Sequence, residues 1–470
     1  MIDKLSGLNF KLFLFIVFVA NLLFRLYNID LAPFSYDESI TLKDTLLDFG
    51  HIKHEAEWDA NPPFYYYCIW IWVKIFGTSE FTLRAFSALM SALSLLIVSP
   101  FLAKNYSRTS SLAFVLIFTF HPVIFYYAQE ARCYSLVLLL TSLTLVVFKN
   151  FMNKPSAKSI VLLALFNFLL LYTHYITFFI LFFQLVIILA SKNNFKFFSI
   201  SAVLTLILIL IRFTKKQFLV IFGVGTNSVK DAWIQHSTIG DYAQFIEKMY
   251  FHYLIYIAVV LISGYLLYKS FKSDHETKFI ILFIGLTSLL APILFFVIGT
   301  FTPIFIDRYV LYAIYLSFIA IAISCHFQKS SYLIVLALII FSLVKFNWCY
   351  NKGFDMRSVA EFVKTNQKDN MVIINTKDLT GLFLYYYNKD IFKQIDENGK
   401  YDLSSKNIYS ASSLADFKSL DLDKQRSILL FQGFDNEASN KDIYGHFREK
   451  GFSIQYFNIF TGIKFVLLKK

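Results

Sequence analysis

Long uninterrupted apolar runs leave this chain few ways to fold. They cover 10–28, 82–103, 110–128, 132–150, 159–191, 197–212, 251–270, 279–299, 309–325 and 331–349. A helix needs about 20 residues to cross a bilayer core of roughly 30 Å, or a few less when packed in a bundle. Inside hydrocarbon the chain must satisfy its own backbone N–H and C=O groups, so runs of this length are helices. The rest of the composition agrees: 57% of residues are hydrophobic and 16% charged, and the mean hydropathy of +0.56 is beyond what a soluble domain tolerates. The chain is expected to be a polytopic α-helical membrane protein.

Two runs need arbitration. The stretch 159–191 is too long for one crossing and has basic residues at both ends, so it should cross twice and turn near Thr173-His174-Tyr175. Residues 63–77 are apolar but short, opened by Pro62-Pro63, closed by Gly77 and rich in Tyr and Trp, the profile of a helix lying in the interface. Charge bias supports that choice. If 63–77 does not cross, then Lys104/Arg108, Lys149/Lys154/Lys158, Lys192/Lys196, Lys269/Lys272/Lys278 and Lys329 all face the cytoplasm. The result is about eleven spans. The first is expected to be an uncleaved anchor with its N-terminus in the cytoplasm.

This topology puts the segments 29–81, 129–132, around 174, 213–250 and 300–308 on the opposite, outer side, together with everything after Tyr350. Residues 351–470 are polar. Met371–Thr376 and Ser427–Phe431 read as buried strands, 357–366 and 440–450 as amphipathic helices, and 452–468 as a closing hairpin broken near Thr461-Gly462. Two domains are therefore expected, a transmembrane domain over 1–350 and a small extracytoplasmic α/β domain over 351–470. The net charge is +12, but the Lys and Arg residues of the first 350 positions fall mostly in short gaps between apolar runs, a topological pattern with no nucleic-acid partner implied. Cys68, Cys133, Cys325 and Cys349 lack CxxC spacing, and point to neither a disulfide framework nor a zinc site.

Chemistry-bearing residues gather on the outer side. Asp37-Glu38, in Ala32-Pro33-Phe34-Ser35-Tyr36-Asp37-Glu38-Ser39, is the first adjacent acid pair of the chain and follows the first span. There a carboxylate can meet water on one side and a lipid headgroup on the other; the plain alternative is a solvated loop pair. Arg84, Arg132 and Arg308 sit at the outer ends of three separate spans, where guanidinium forks suit a phosphate. The plain alternative for each is interfacial snorkelling or a structural ion pair, with Glu80, Glu130 and Asp307 respectively. His174 lies at the turn of 159–191, where an imidazole can hydrogen-bond a phosphate or hydroxyl. Asp59 precedes Asn61-Pro62-Pro63, an extended lead into the aromatic helix. The chain has no Walker A loop, no GxGxxG after a strand, no HExxH and no GxSxG.

Taken together, several motifs resemble a known family. They are the acid pair after the first span, Asn61-Pro62-Pro63-Phe64-Tyr65-Tyr66, Phe76-Gly77-x-x-Glu80-Phe81-x-x-Arg84, Gln129-Glu130-Ala131-Arg132-x-Tyr134, Tyr172-Thr173-His174-Tyr175 and Arg308-Tyr309. In order and spacing, over roughly 10–350, they resemble the GT-C glycosyltransferases of the protein O-mannosyltransferase and lipid A aminoarabinose transferase superfamily. The resemblance implies an acid of the first outer loop, here Asp37, as catalytic base, and a sugar on a polyprenyl phosphate as donor. Glu38 and Tyr36 would hold the loop. Arg84, Arg132, Arg308 and His174 would take the donor phosphate, while Asp59, Asn61, Tyr65, Gln129, Glu130, Tyr134 and Tyr309 would bind substrate or position loops.

One departure is that the aminoarabinose transferases carry Glu-Lys before the proline where this chain has Ala60-Asn61, which argues against an aminoarabinose donor. The expected function is inverting transfer of a sugar, mannose or another hexose or pentose, to a glycan, lipid or protein hydroxyl on the outer face of a bacterial plasma membrane. No cofactor is required; acids near the site leave room for a divalent cation but form no dedicated cage. The rival classes are a flippase of lipid-linked sugars, which would want ionisable residues at mid-membrane depth, and a polysaccharide polymerase or ligase.

Overall fold

The computed structural model describes residues 7–46, 49–50, 52, 61–191, 194–215, 217, 234–272, 277–347, 355–366, 371–374, 380–389, 392, 408–410, 414–433, 437–460 and 463–470. Two compact units emerge. The first comprises Met1–Tyr27, Lys53–Trp72 and Phe81–Trp348; the second comprises Asn28–Ile52, Val73–Glu80 and Cys349–Lys470.

The first unit is a helical bundle. Among the described residues, seven helices are long and apolar enough to cross a membrane, and a bent pair, Arg108–Phe120 with Pro122–Ala128, makes an eighth if it is one span. Four shorter apolar helices, Phe64–Phe76, Ala157–Leu171, Tyr175–Ala190 and Ser331–Lys345, complete the apolar set. The turn expected near His174 is present: a helix over Ala157–Leu171, a 3-10 turn over Tyr175–Thr177, and a helix over Phe178–Ser191. The core helix is Leu311–Phe327, where every residue from Leu311 to Cys325 is buried. It packs on Lys278–Phe301, Arg108–Phe120, Tyr253–Phe271 and Tyr134–Asn153. A helix apolar all round belongs in such a position. Leu210, Phe301, Leu333 and Val344, by contrast, are largely exposed, as lipid-facing side chains are.

The run 110–128 reads as one span, but the helix bends by 66° between Phe120 and Pro122. Proline has no N–H, so the carbonyl four residues before it loses its helical donor. Arg25 supplies a replacement: its Nη2 donates to the Phe118 carbonyl at 3.2 Å, its Nε donates to Ser91 Oγ at 2.9 Å, and its guanidinium lies over the Phe118 ring. Beyond the bend, Gln129 Nε2 donates to the carbonyls of Arg25 and Tyr27, both at 2.9 Å. The end of the first helix thus fixes both sides of the bend. Arg25→Met is expected to leave the Ser91 hydroxyl and the Phe118 carbonyl without these donors, a loss of about 1–3 kcal/mol. A lowered unfolding temperature in detergent would register it, and an unchanged one would contradict this role.

The second unit holds a five-stranded sheet in the order β2-β1-β3-β5-β4, with β1 (Met371–Ile374), β2 (Ile408–Ser410), β3 (Ser427–Gly433), β4 (Ser453–Phe460) and β5 (Ile463–Lys469). β1 pairs parallel with β2 and β3; β5 pairs antiparallel with β3 and β4. Ile373, Ile428, Leu430, Val466 and Leu468 of the sheet pack with Phe417, Ile443 and Phe447 of the helices Leu414–Ser419 and Glu437–Glu449. The expected strands, helices and hairpin are present, the break near Thr461-Gly462 lying outside the described residues; the strand β2 and the helices Thr380–Tyr387 and Leu414–Ser419 were not anticipated. The sequence boundary at 350 follows composition, whereas the compact units follow contacts and group 28–52 and 73–80 with 349–470. The helix Phe64–Phe76 stops at Gly77, whose N–H bonds the Val73 carbonyl at 2.8 Å with φ at +90°, a value that only glycine adopts cheaply.

Candidate active site

The candidate groups fall into two sets, one in each unit. In the second unit the acid pair sits on the first turn of a short helix, Tyr36–Asp44, and not in an open loop. Ser35 is the N-cap: its Oγ accepts the Glu38 N–H at 3.2 Å, and the Ser35 N–H donates to Glu38 Oε2 at 2.9 Å. This is a capping box, and its S-x-x-E signature was visible in the sequence. Glu38 is wholly buried in that role, so of the pair grouped above as catalytic it is the one committed to holding the backbone. Asp37 and Tyr36 remain partly exposed on the same turn.

The segment leading into this helix is tied down by residues far along the chain. The Phe34 N–H donates to Tyr386 Oη at 2.8 Å, and the buried Phe34 ring meets that of Tyr385 edge-on. Tyr386 Oη in turn donates to Glu80 Oε1 at 2.9 Å and Tyr385 Oη to Glu80 Oε2 at 3.0 Å. Arg357 Nη2 pairs with Glu80 Oε1 at 3.0 Å and donates to the Asp30 carbonyl at 3.3 Å. Burial and the facing Glu80 carboxylate push the Tyr386 phenol up, which keeps its hydroxyl a donor. The ion pair that sequence offers Glu80, with Arg84, is therefore replaced by one with Arg357.

In the first unit, Arg132, His174 and Arg308 come together. Arg132 is buried in the turn between Pro122–Ala128 and Tyr134–Asn153, and its Nη1 donates to Tyr66 Oη at 3.2 Å. Arg308 belongs to a 3-10 turn, Asp307–Val310, with its guanidinium over the Tyr134 ring at 5.9 Å. Asp307 accepts the Arg308 N–H at 2.6 Å and forms an ion pair with Lys248 of the helix Ile239–Tyr250, so here too the acid expected to pair with the arginine side chain has another cation. The His174 ring lies 4.7 Å from that of Tyr309 and 6.2 Å from that of Tyr134.

His174 is the informative member. Burial, and after it the charges of Arg132 and Arg308, depress its pKa to about 3, so the ring is neutral near pH 7. Its Nδ1 accepts the Ile176 N–H at 3.3 Å, which assigns the proton to Nε2. Nε2 is buried and has no hydrogen-bond partner among the described residues. Two guanidiniums and an N–H donor lacking an acceptor form an arrangement complementary to an anion.

Several of the remaining predicted residues lie near this turn or serve it. Gln129 holds the first helix, as described above. Glu130 is buried and its carbonyl accepts the Arg132 N–H at 2.8 Å. Asn61 Oδ1 faces Cys133 Sγ at 3.9 Å, and Tyr65 is buried against Tyr66 and Phe86. Arg84 is fully buried on the first turns of Glu80–Asn105. Asp59 lies outside the described residues. Sequence reasoning missed Arg25, Lys248 and the group Arg357, Tyr385 and Tyr386; Tyr66 stands in the quoted motif Asn61-Pro62-Pro63-Phe64-Tyr65-Tyr66 but was given no role. Only Arg25 carried a signal, an arginine inside an apolar run.

Comparison with known proteins gives a consistent result. The model of the dolichyl-phosphate-mannose-protein mannosyltransferase family matches residues 60–215, which include Asn61, Tyr65, Arg84, Arg132 and His174 but not Asp37 or Arg308. No curated protein sequence matches the chain. Among solved structures, ArnT from Cupriavidus metallidurans in the apo state aligns with a TM-score of 0.56 at 12% identity, over 96% of this chain and 97% of that one. The same protein bound to undecaprenyl phosphate aligns with a TM-score of 0.55, again at 12% identity and over the same shares of both chains.

Proposed function

We propose, from the GT-C fold of this membrane protein, that it is an inverting glycosyltransferase which moves a sugar from a polyprenyl phosphate to an acceptor hydroxyl on the outer face of a plasma membrane. The observation that carries the reading is the group of buried Arg132, half-buried Arg308 and buried, neutral His174 with its proton on Nε2, a set of donors for a phosphate. ArnT, of like fold, binds undecaprenyl phosphate, a headgroup of the chemistry these donors suit.

In this reaction Asp37 takes the proton of the acceptor hydroxyl while the oxygen attacks the anomeric carbon. The bond from that carbon to the phosphate oxygen breaks on the opposite side, and its electron pair leaves with the polyprenyl phosphate. Charge therefore grows on the phosphate, where Arg132, Arg308 and Arg84 stabilise it more in the transition state than in the bound donor. Glu38 keeps Asp37 on the helix start. A lipid-linked donor also fits a sequence with no Walker A loop and no GxGxxG after a strand, since the sugar arrives already activated on its carrier, whose tail would lie between helices. The N-terminus is placed in the cytoplasm and residues 351–470 outside, according to the positive-inside bias. Ala60-Asn61, in place of Glu-Lys, favours a hexose or pentose other than aminoarabinose, and the scheme calls for no metal or cofactor.

The test is transfer in a membrane extract with a panel of polyprenyl-phosphate sugars, measured as release of polyprenyl phosphate together with labelled acceptor. Release with one donor supports the reading. Movement of a lipid-linked sugar across vesicles without release would replace it with transport. His174 gives a finer check: His174→Leu should weaken donor binding by about 10–100-fold, the worth of a hydrogen bond to a charged group, while His174→Gln, which keeps an N–H, should lose less. Because a pKa of about 3 leaves the ring neutral at every higher pH, and the donor diester stays ionised, donor affinity should be level from roughly pH 5 to 8. Affinity falling through this window as pH rises would mean a charged imidazole and overturn the assignment.

A further inference from the structure

We infer that Glu80, Arg357 and Tyr386 are positioning residues for the reaction, through which the C-terminal region sets the place of the Asp37 helix. The inference rests on the proposal that Asp37 is the base, and deepens it. The Tyr386 hydroxyl accepts the N–H of Phe34, the residue immediately before the N-cap Ser35, and donates to Glu80. Arg357 binds the same carboxylate oxygen and reaches the carbonyls of Asp30 and Leu31 at 3.3 and 3.4 Å. The backbone from Asp30 to Ser35 is thus held at three points by side chains more than 320 residues away in sequence.

The Glu80 carboxylate accepts three side-chain donors, from Tyr385, Tyr386 and Arg357. It is the shared anchor: without its charge, two phenols and a guanidinium lose the group that fixes their directions. Phe34 is fully buried, so its N–H has no water to turn to if Tyr386 gives way. Asp37 follows Phe34 by three residues, and a rigid helix turn transmits any shift at the cap to its carboxylate. A misplacement of about 1 Å in a reacting group can cost on the order of 100-fold in rate. The C-terminal region, read from sequence as an appended α/β domain, then acts as part of the catalytic apparatus.

The experiment uses the full-length protein in detergent or vesicles, with Tyr386→Phe, Glu80→Gln and Asp37→Asn beside wild type. It follows steady-state transfer together with amide hydrogen exchange of peptides within 29–44. Tyr386→Phe and Glu80→Gln should each lower kcat by about 10–100-fold, with KM for the donor within about twofold of wild type. Exchange within 29–44 should rise while the bundle helices stay protected. Unchanged kcat and unchanged exchange in both variants would overturn the inference. So would a uniform rise in exchange across the chain, since that marks general destabilisation. If Asp37→Asn retains full transfer, the base assignment fails on its own, whereas the exchange pattern still decides whether Glu80 and Tyr386 hold the helix.

Discussion

Asp37→Asn is expected to lower sugar transfer by about 10²–10⁴-fold, the usual worth of a positioned general base. Asparagine has nearly the shape of aspartate and keeps an oxygen that can accept a hydrogen bond, but it cannot take up the acceptor proton. The helix Tyr36–Asp44 should survive the change, because its cap is built from Ser35 and Glu38 and makes no use of the Asp37 side chain for the two capping bonds. Binding of polyprenyl phosphate should therefore persist, and the loss should appear in kcat. Single-turnover transfer in vesicles, paired with lipid binding on the same preparation, separates the two. Full activity in the asparagine variant would remove Asp37 from the chemistry. Glu38→Gln should behave differently: it weakens the cap by about 0.5–2 kcal/mol and lowers stability before it touches rate.

Removal of a guanidinium from the cationic group should cost more than the loss of binding alone. Arg132→Met and Arg308→Met are each expected to lower kcat by about 10²–10³-fold, the scale seen when one donor aimed at developing charge is deleted. The physical reason is that the phosphate gains charge as the glycosidic bond breaks, so these donors act more strongly in the transition state than on the bound lipid. Lysine at either position restores charge but not the planar fork, and should recover only part of the rate. The double variant should lose less than the product of the two single losses, because groups acting on one phosphate are not additive. Comparing kcat with the affinity for polyprenyl phosphate across the five variants checks this. A rise in KM at constant kcat would assign the arginines to binding only.

Much of the helical unit was legible because hydrocarbon imposes a simple rule: a run of apolar residues long enough to cross has to be a helix. The turn within 159–191, the strands at 371 and 427 and the closing hairpin were readable because period and length act locally. The bend at Pro122 escaped because a proline within an apolar run states only that one N–H is missing. Whether the helix breaks there depends on what can serve the abandoned carbonyl, and that is Arg25, 93 residues away.

The candidate site divides along the same line. Sequence alone determined the cast: three arginines and a histidine at the ends of spans and an acid pair after the first, all of them features of residue type and short spacing. Tertiary structure decided the partners. Arg357, not Arg84, closes on Glu80, and Lys248, not the neighbouring guanidinium, closes on Asp307. Burial, and after it two cations from distant segments, push the His174 pKa down to about 3 and so keep the ring neutral even in acid. Pairing and protonation are set by distance and desolvation in three dimensions, and neither quantity can be read from spacing along the chain.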